Sequence, residues 1–406
     1  MIDRVRQCVA LLHPELVRMR RHMHANPELS FKETNTMAFV VERLRGLDPA
    51  RPDSSIEIRA GLAGTGVIAV VKGEAGSSDR VIALRADMDA LPITEQNTCD
   101  YRSANAGVMH ACGHDAHTAM VLGAGMVLHE LRKEWSGTVQ LVFQPGEEKI
   151  PGGASVLLKE NAFGVRLPDG IIGQHVTPEL AVGKVGFCEG PFMASSDELY
   201  VTVKGRGGHA ALPEGLIDPI MIMARLLPLL KEEFAAYRPS EKTILAFGRV
   251  EALGATNVVP DEVRIAGTLR AFNEELRNEL HTWLPKRAQE ICASMGGSCD
   301  FEVRRGYPVL VNDAALTQRM RSTAKDYLGA ENVVEMGQRM GSEDFAFYTH
   351  VMPGCFFRLG TGTPGASPRG LHTPTFDIDE SALVIGCGVM VLGALSELER
   401  PVVPGP

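Results

Sequence analysis

DELYVTVKG, residues 197–205, alternates Leu199, Val201 and Val203 with more polar neighbours, the two-residue period of a strand with one buried face. The elements after this strand decide the fold. LIDPIMIMARLLPLLKEEFAAY (216–237) carries the apolar spacing of a helix, and KTILAFGRVEA (242–252) and DEVRIAGTLRAF (261–272) read as two more strands. EELRNELHTWLPKRAQEICASM (274–295) is a second helix and CDFEVRRG (299–306) a last strand. The order β-α-β-β-α-β is the split unit of a ferredoxin-like domain, complete within residues 190–306.

On either side the pattern is different. Residues 3–24 and 33–46 have helical spacing, broken by NPELS (26–30). GVIAVVKG (66–73) and VIALRAD (81–87) are β-branched, strand-like runs; AHTAMVLGAGMVLHELRKE (116–134) is a helix. GTVQLVFQPGEE (137–148) is a strand running into a loop, and DGIIGQHV (169–176) is another strand. Beyond 306 the same alternation resumes with ALTQRMRSTAKDYLG (315–329), CFFRLG (355–360) and a final helix near 379–398. Alternating strands and helices imply an α/β sheet. The expected organisation is a discontinuous α/β domain, 1–189 and 307–406, with 190–306 inserted into it. The tail ERPVVPGP (399–406) reads as a disordered end.

A chain of 406 residues exceeds the size at which one core stops growing, in keeping with two domains. The net charge of −9 argues against a nucleic-acid footprint, which needs clustered positive charge; the basic RVRQ and VRMRRHMH runs read as a solvated helix face. No run approaches the roughly eighteen apolar residues of a membrane span, and the amphipathic N-terminus lacks the apolar core of a secretory signal. Eight scattered cysteines fit reduced thiols better than a disulfide framework. The expected compartment is the cytoplasm.

MHACGHDAH (109–117) holds three of the chain's twelve histidines. It belongs to a series of polar residues at the ends of elements, where α/β sheets place their sites. Asp87 and Asp89 follow VIALRA; Cys112, His114, Asp115 and His117 open a helix; Glu147 and Glu148 follow TVQLVFQ; His175 ends GIIGQ; His372 lies in GLHTPTF. Taken singly each has a plainer reading: GEE as a solvated turn, a strand histidine as a satisfied interior group, CGH as a helix start or a thiol beside a base. Five such pieces at successive strand ends point instead to a metal site. Thiolate, imidazole and carboxylate together suit zinc, cobalt or manganese, and several carboxylates suit a pair of ions with an activated water between them. Of the adjacent Glu147 and Glu148, one could face metal while the other takes a proton.

LRADMDALPI, MHACGHDAHT, FQPGEE, GGHAA and ATNVVPDEV together resemble the aminoacylase and hippurate hydrolase branch of the dinuclear metallopeptidases. That branch includes hydrolases of indole-acetyl amino acids and N-acetyl-diaminopimelate deacetylases. The resemblance extends from RRHMHANPELSFKE (20–33) to HTPTFDIDE (372–380). It implies a zinc-peptidase-like catalytic domain built from both chain ends, with the ferredoxin-like insert as lid or dimerisation domain. It assigns metal ligation to Cys112, His114, Glu148, His175 and His372, and the role of general base to Glu147. Asp89 matches the aspartate that orients a ligand, and Asp87 stands where related carboxypeptidases have a metal-binding histidine. The ions implied are two divalent metals: zinc, manganese, cobalt or nickel.

The resemblance further implies that His209, in KGRGGHAALP, stabilises an oxyanion, reaching in from a second subunit of a homodimer or higher oligomer. It makes Asn257 and Arg270 the candidates for gripping a substrate carboxylate, a task that suits the planar guanidinium. His110 and His117 are expected to hydrogen-bond around the site, and His22, His24, His129 and Asp115 to serve helix packing and capping. The implied activity is hydrolysis of N-acyl amino acids. Alternatives are a dipeptide hydrolase on the same site, a catalytically silent binder of amino-acid conjugates, and a cysteine hydrolase built on Cys112. An outer strand edge near DELYVTVKG is the expected dimer contact.

Overall fold

The computed structural model describes residues 1–47 and 56–400; the last six residues of the tail read as disordered lie outside it. In chain order the helices are α1 (Ile2–Ala25), α2 (Thr34–Arg45), α3 (His114–Glu130), α4 (Gly153–Lys159), α5 (Pro219–Tyr237), α6 (Glu274–Ala293), α7 (Ala314–Leu328), α8 (Ala346–Thr349) and α9 (Ala382–Leu398). The strands begin with β1 (Glu57–Leu62), β2 (Gly66–Lys72), β3 (Val81–Asp87), β4 (Thr138–Gln144), β5 (Gly170–Ala181), β6 (Val185–Phe187), β7 (Gly190–Met193) and β8 (Asp197–Lys204). They continue with β9 (Gly208–His209), β10 (Thr243–Glu251), β11 (Val258–Val259), β12 (Glu262–Ala271), β13 (Ser298–Arg305), β14 (Leu310–Asn312), β15 (Val333–Glu335) and β16 (Gly354–Gly362).

Two compact units result. The first comprises residues 1–190, 311–337 and 344–406. Its mixed eight-stranded sheet runs β1-β2-β4-β3-β5-β16-β6-β15, with β3 parallel to both β4 and β5 and β5 parallel to β16. Central strands such as β3 and β4 are buried almost end to end, which is why VIALRA and TVQLVF read as continuous apolar runs instead of alternating ones. Helix α3 is likewise buried on nearly every side, as expected of a helix apolar all round, and packs with α1 and α9.

The second unit comprises residues 191–310 and 338–343. Its four-stranded sheet runs β10-β12-β8-β13 with every neighbour antiparallel, the strand order of a β-α-β-β-α-β split unit. Here one sheet face is solvated: β8 alternates buried with more exposed side chains, and β13 alternates half-buried with exposed ones. The stripe Ile222, Leu226, Leu230 and Phe234 of α5, together with Leu276, Leu280, Leu284 and Ala288 of α6, forms the core with Leu199, Val201 and Val203.

Several details differ from the sequence reading. Segment 338–343 joins the second unit because Arg339 N–H donates to Phe192 O at 2.8 Å and Ala194 N–H to Arg339 O at 3.1 Å, pairings far apart in sequence. Strand β8 is not an edge: it is hydrogen-bonded on both sides, by β12 and β13. The first strand of a split unit is an inner one, so the free edges are those of β10 and β13. His175 lies inside β5, which runs on to Ala181.

Candidate metal centre

The bend from β3 into Asp89, the start of α3, the turn after β4 and the middle of β5 bring most of the acidic, thiol and imidazole candidates together. Gly113 caps α3 with φ of 85°, and a Cβ there would meet Val176 Cγ2 at 2.5 Å. Only glycine lets the chain turn so tightly against β5 while presenting Cys112 and His114 on either side. His372 is itself held at φ of 59°, a conformation that costs a non-glycine residue about 1–2 kcal/mol. The hydrogen bond from its N–H to Ala111 O, at 2.8 Å, keeps it there. Backbone strain of this kind concentrates at functional sites.

Cys112 Sγ lies 3.4 Å from His175 Nε2 and 3.3 Å from His372 Nε2. His372 Nε2 is also 3.2 Å from Glu148 Oε1, which lies 3.9 Å from His114 Nε2. Three overlapping groups, Cys112–His114–His175, Cys112–Glu148–His372 and His114–Glu147–Glu148, each have ligand-type atoms within 4.8 Å of one another. His114 Nε2 and Glu148 Oε1 are buried and make no hydrogen bond among the described residues. Buried polar atoms without partners are costly, and here they converge on thiol and imidazole atoms. The residues fit a pair of soft-to-borderline cations sharing a ligand.

The second nitrogens explain the orientation. His175 Nδ1 donates to Val176 O at 2.7 Å, which leaves the Nε2 lone pair facing Cys112. Burial, with Arg358 nearby, holds the His175 pKa well below the usual imidazole range, so the ring stays neutral. His114 Nδ1 donates to Asp89 Oδ1 at 3.2 Å. Burial opposes charging of His114, but Asp87, Cys112 and Asp89 outweigh it and raise its pKa. Burial and the Glu148 carboxylate push the Cys112 thiol up. The Cys112 thiol and the Glu148 carboxylate beside its ring push His372 up to about 10. A cation among these groups would release the protons of His114, Cys112 and His372.

Asp89 does more than orient His114. Its Oδ1 accepts Glu147 N–H and its Oδ2 accepts Glu148 N–H, each at 3.0 Å, and Ser30 Oγ donates to Oδ2 at 2.6 Å. Asp87 behaves differently. Its Oδ1 accepts from His117 Nδ1 at 2.6 Å and its Oδ2 from Arg85 Nη1 at 2.7 Å, while His117 Nε2 accepts Val176 N–H at 3.0 Å. Both nitrogens of His117 are thereby engaged, so it is a strut between β3 and β5. His110, expected to hydrogen-bond around the site, has both ring nitrogens buried without a partner among the described residues, and burial pushes it down to about 4.

Asp115 makes no cap on α3. It accepts from Arg20 Nε and from His24 Nδ1, each at 2.8 Å, in a buried charge cluster that also holds Asp377 and Glu380. The sequence suggests a helix cap, but a fully buried guanidinium outcompetes backbone N–H groups for its carboxylate. His22 stacks on Phe39 at 4.4 Å. Two groups have no local sequence signal: Glu33, two of whose partners lie 32 and 113 residues away, and the buried Arg85–Gln144–Asp344 network under the GEE turn.

In the second unit His209 and Asn257 meet, since β9 pairs with β11 and Ala210 N–H donates to Asn257 O at 3.0 Å. His209 is exposed and its Nδ1 accepts Ala211 N–H at 3.1 Å, so the neutral ring carries its proton on Nε2. Arg270, half-buried on β12, donates to Met340 O and Ser342 Oγ at 3.3 and 3.2 Å. It makes no ion pair among the described residues.

The profile of peptidase family M20/M25/M40 matches residues 83–395. An N-acetyl-L-cysteine deacetylase of Bacillus subtilis is 37% identical over 93% of this chain and 86% of its own length. An indole-acetyl (IAA)-amino acid hydrolase of Arabidopsis thaliana is 38% identical over 92% of this chain and 83% of its own. The crystal structure of a dinuclear metal-binding M20 peptidase from Bacillus subtilis superposes with a TM-score of 0.82 at 35% identity, covering 96% of this chain and 99% of that one.

Proposed function

The chain belongs to peptidase family M20/M25/M40, and on that premise we propose that it is a metal-dependent amidohydrolase cleaving the amide bond of N-acyl amino acids. The observation that carries this reading is the convergence of Cys112, His114, Glu148, His175 and His372, with buried ligand atoms lacking other partners. Names of relatives that act on N-acetylcysteine and on amino-acid conjugates support the substrate class.

The five residues would hold two divalent ions, among zinc, manganese, cobalt and nickel. When bound, such ions polarise a carbonyl and lower the pKa of a water. Glu147 takes the proton of the water that attacks the amide carbon and returns it to the amine nitrogen as the C–N bond breaks. Asp89 holds His114 by its ring and the Glu147–Glu148 turn by its backbone. His209 Nε2–H donates to the carbonyl oxygen as negative charge develops there. Arg270, a desolvated guanidinium with no carboxylate partner among the described residues, receives the carboxylate of the substrate bidentately, and Asn257, which lies next to His209, is the second candidate for gripping it.

The second unit is the lid or dimerisation domain, and His209 is supplied from it within one chain or from a second copy. The free edge of β10, with Val250 exposed, is the strand edge that pairs across a two-fold axis in a homodimer. All eight cysteines are free thiols, which suits the reducing cytoplasm, and no described helix is long and apolar enough to cross a membrane. A chelator should abolish hydrolysis of a panel of N-acyl amino acids, and added zinc, manganese or cobalt should restore it. Full activity in a metal-free preparation, verified by elemental analysis, would end this reading.

A further inference from the structure

Three consecutive backbone N–H groups of the turn after β4 are caught by carboxylates, but not by the same one. Asp89 takes those of Glu147 and Glu148. Gly146 N–H donates to Glu33 Oε1 at 2.9 Å. Glu33 is fully buried at the entry to α2 and accepts twice more, from Phe31 N–H at 2.9 Å on Oε1 and from Thr65 Oγ1 at 2.5 Å on Oε2. From the geometry we infer that Glu33 is a positioning residue for the reaction: it seats the turn that carries Glu147, which it never touches itself.

Independent features of the same loop bear this out. Gly146 has φ of 61°, and a Cβ there would collide with the Phe31 ring. Phe31 is in turn at φ of 61°, an unfavourable state for an aromatic residue. Its N–H is the one that Glu33 holds. The loop is also fastened along the other carboxylate: Ala90 N–H donates to Glu28 O at 2.8 Å, and Ser30 Oγ donates to Asp89. Glu28 then accepts Asn35 and Thr36 N–H at 3.2 and 2.9 Å, tying the start of α2 to the same loop. NPELSFKE is thus a backstop whose two polar contributions, Ser30 and Glu33, act on Asp89 and on Gly146. A loop built only for packing would not need strained backbone at two facing positions held by one buried carboxylate.

The inference rests on Glu147 being the base, but its test does not depend on that. Glu33→Gln keeps an acceptor for Gly146, whereas Glu33→Ala removes it. Small displacements of a reacting group cost up to about 100-fold in rate. We therefore expect Glu33→Ala to lower kcat roughly 10–100-fold with KM and metal content unchanged, and Glu33→Gln to restore kcat to within about threefold. Backbone hydrogen exchange in metal-stripped protein supplies the second readout. Peptides spanning 144–149 should exchange faster in Glu33→Ala and at the wild-type rate in Glu33→Gln, with the remainder of the first unit unaltered. If Glu33→Ala does not fold, Thr65→Val, which withdraws one of the donors that aim Glu33, should show the same local exchange signature with a smaller fall in kcat. Unchanged exchange at 144–149 in whichever variant folds overturns the inference. So does an equal fall in kcat for Gln and Ala. Loss of the exchange signature would leave the amidohydrolase reading standing, and an inactive wild type would leave the exchange result standing.

Discussion

The donor cleft of the first unit and the His209 tip of the second are built on opposite principles. Asp87, Asp89, His114 and His175 are buried; Asp87 and Asp89 are tied to His117 and His114 of α3, and the His175 ring is held by the Val176 carbonyl within β5. His209 and Asn257 are exposed and rest on a two-residue ladder between β9 and β11. The first arrangement suits groups that must hold a cation or a proton at one point, since misplacement there is expensive. The second suits groups that meet a substrate of variable shape, because sparsely packed segments open at little cost. The contrast says where changes should abolish chemistry and where they should only weaken it.

The sharpest way to break the contrast lies in the cleft. Glu147→Gln is expected to keep its metal content and lose roughly 10²–10⁴ in turnover, the usual worth of general acid–base catalysis. Turnover near wild type would remove Glu147 from its role. Cys112→Ala should lose metal and activity together, and wild-type Cys112 should resist alkylation until a chelator strips the protein. A trappable acyl-enzyme with metal content unaffected by Cys112→Ala would make the thiol a nucleophile instead. The structure bears on that choice: the thiol is buried and its pKa is raised, the reverse of an activated cysteine.

How much of this is legible in the residues follows the same division. The second unit is readable because β8 and the helices α5 and α6 each keep one buried face, so period two and period 3.6 survive in the sequence. Strand β8 resembles an edge in the sequence because pairing order is a property of the whole split unit, invisible in one strand. In the cleft, Cys112, His114, Glu147 and Glu148 stand out by clustering within short motifs. The residues that aim them do not. Glu33 and Gly146 are 113 positions apart, and Arg85 reaches Asp344 across 259; no local pattern marks either pair. Asp115 looks like a helix cap because only its neighbours in sequence are visible, while Arg20, its partner, comes from α1.

A smaller loss is expected at the tip. His209→Ala should reduce turnover by about 10²–10³-fold, the range for one oxyanion donor, and leave metal content intact, since His209 is hydrogen-bonded to Ala211 and along the β9–β11 pair of its own unit. Mixing His209→Ala with Glu147→Gln chains tests whether the imidazole crosses a subunit boundary. Restored activity in verified mixed dimers means that it does. No recovery means that each chain supplies its own His209. A metal loss in His209→Ala would erase the distinction between rigid cleft and adaptable tip.

The smallest effect on chemistry, and the last test of the division, concerns what keeps the second unit folded. Asp197 is buried and accepts from Arg277 Nη2 and Nε at 2.6 and 2.9 Å and from His281 Nε2 at 2.6 Å. Burial alone would raise its pKa, yet these partners hold it at about 2. A carboxylate depressed from the ordinary value near 3.8 contributes about 2 kcal/mol. That contribution is complete above the unfolded value, near pH 4, and is lost as pH falls through the folded one, near 2. Asp197→Asn should therefore destabilise the second unit by roughly 3–5 kcal/mol at neutral pH, because it removes the fully buried one of the two carboxylates that balance the buried Arg277 guanidinium, and the gap to wild type should narrow between pH 4 and 2. The two tryptophans make this measurable, since Trp135 lies in the first unit and Trp283 in the second. With each tryptophan replaced in turn by phenylalanine, denaturant titrations should show the larger shift on Trp283 and unchanged metal content in the folded protein. An equal shift on Trp135, or a gap that does not narrow with acid, would mean that the two units do not hold their stability separately.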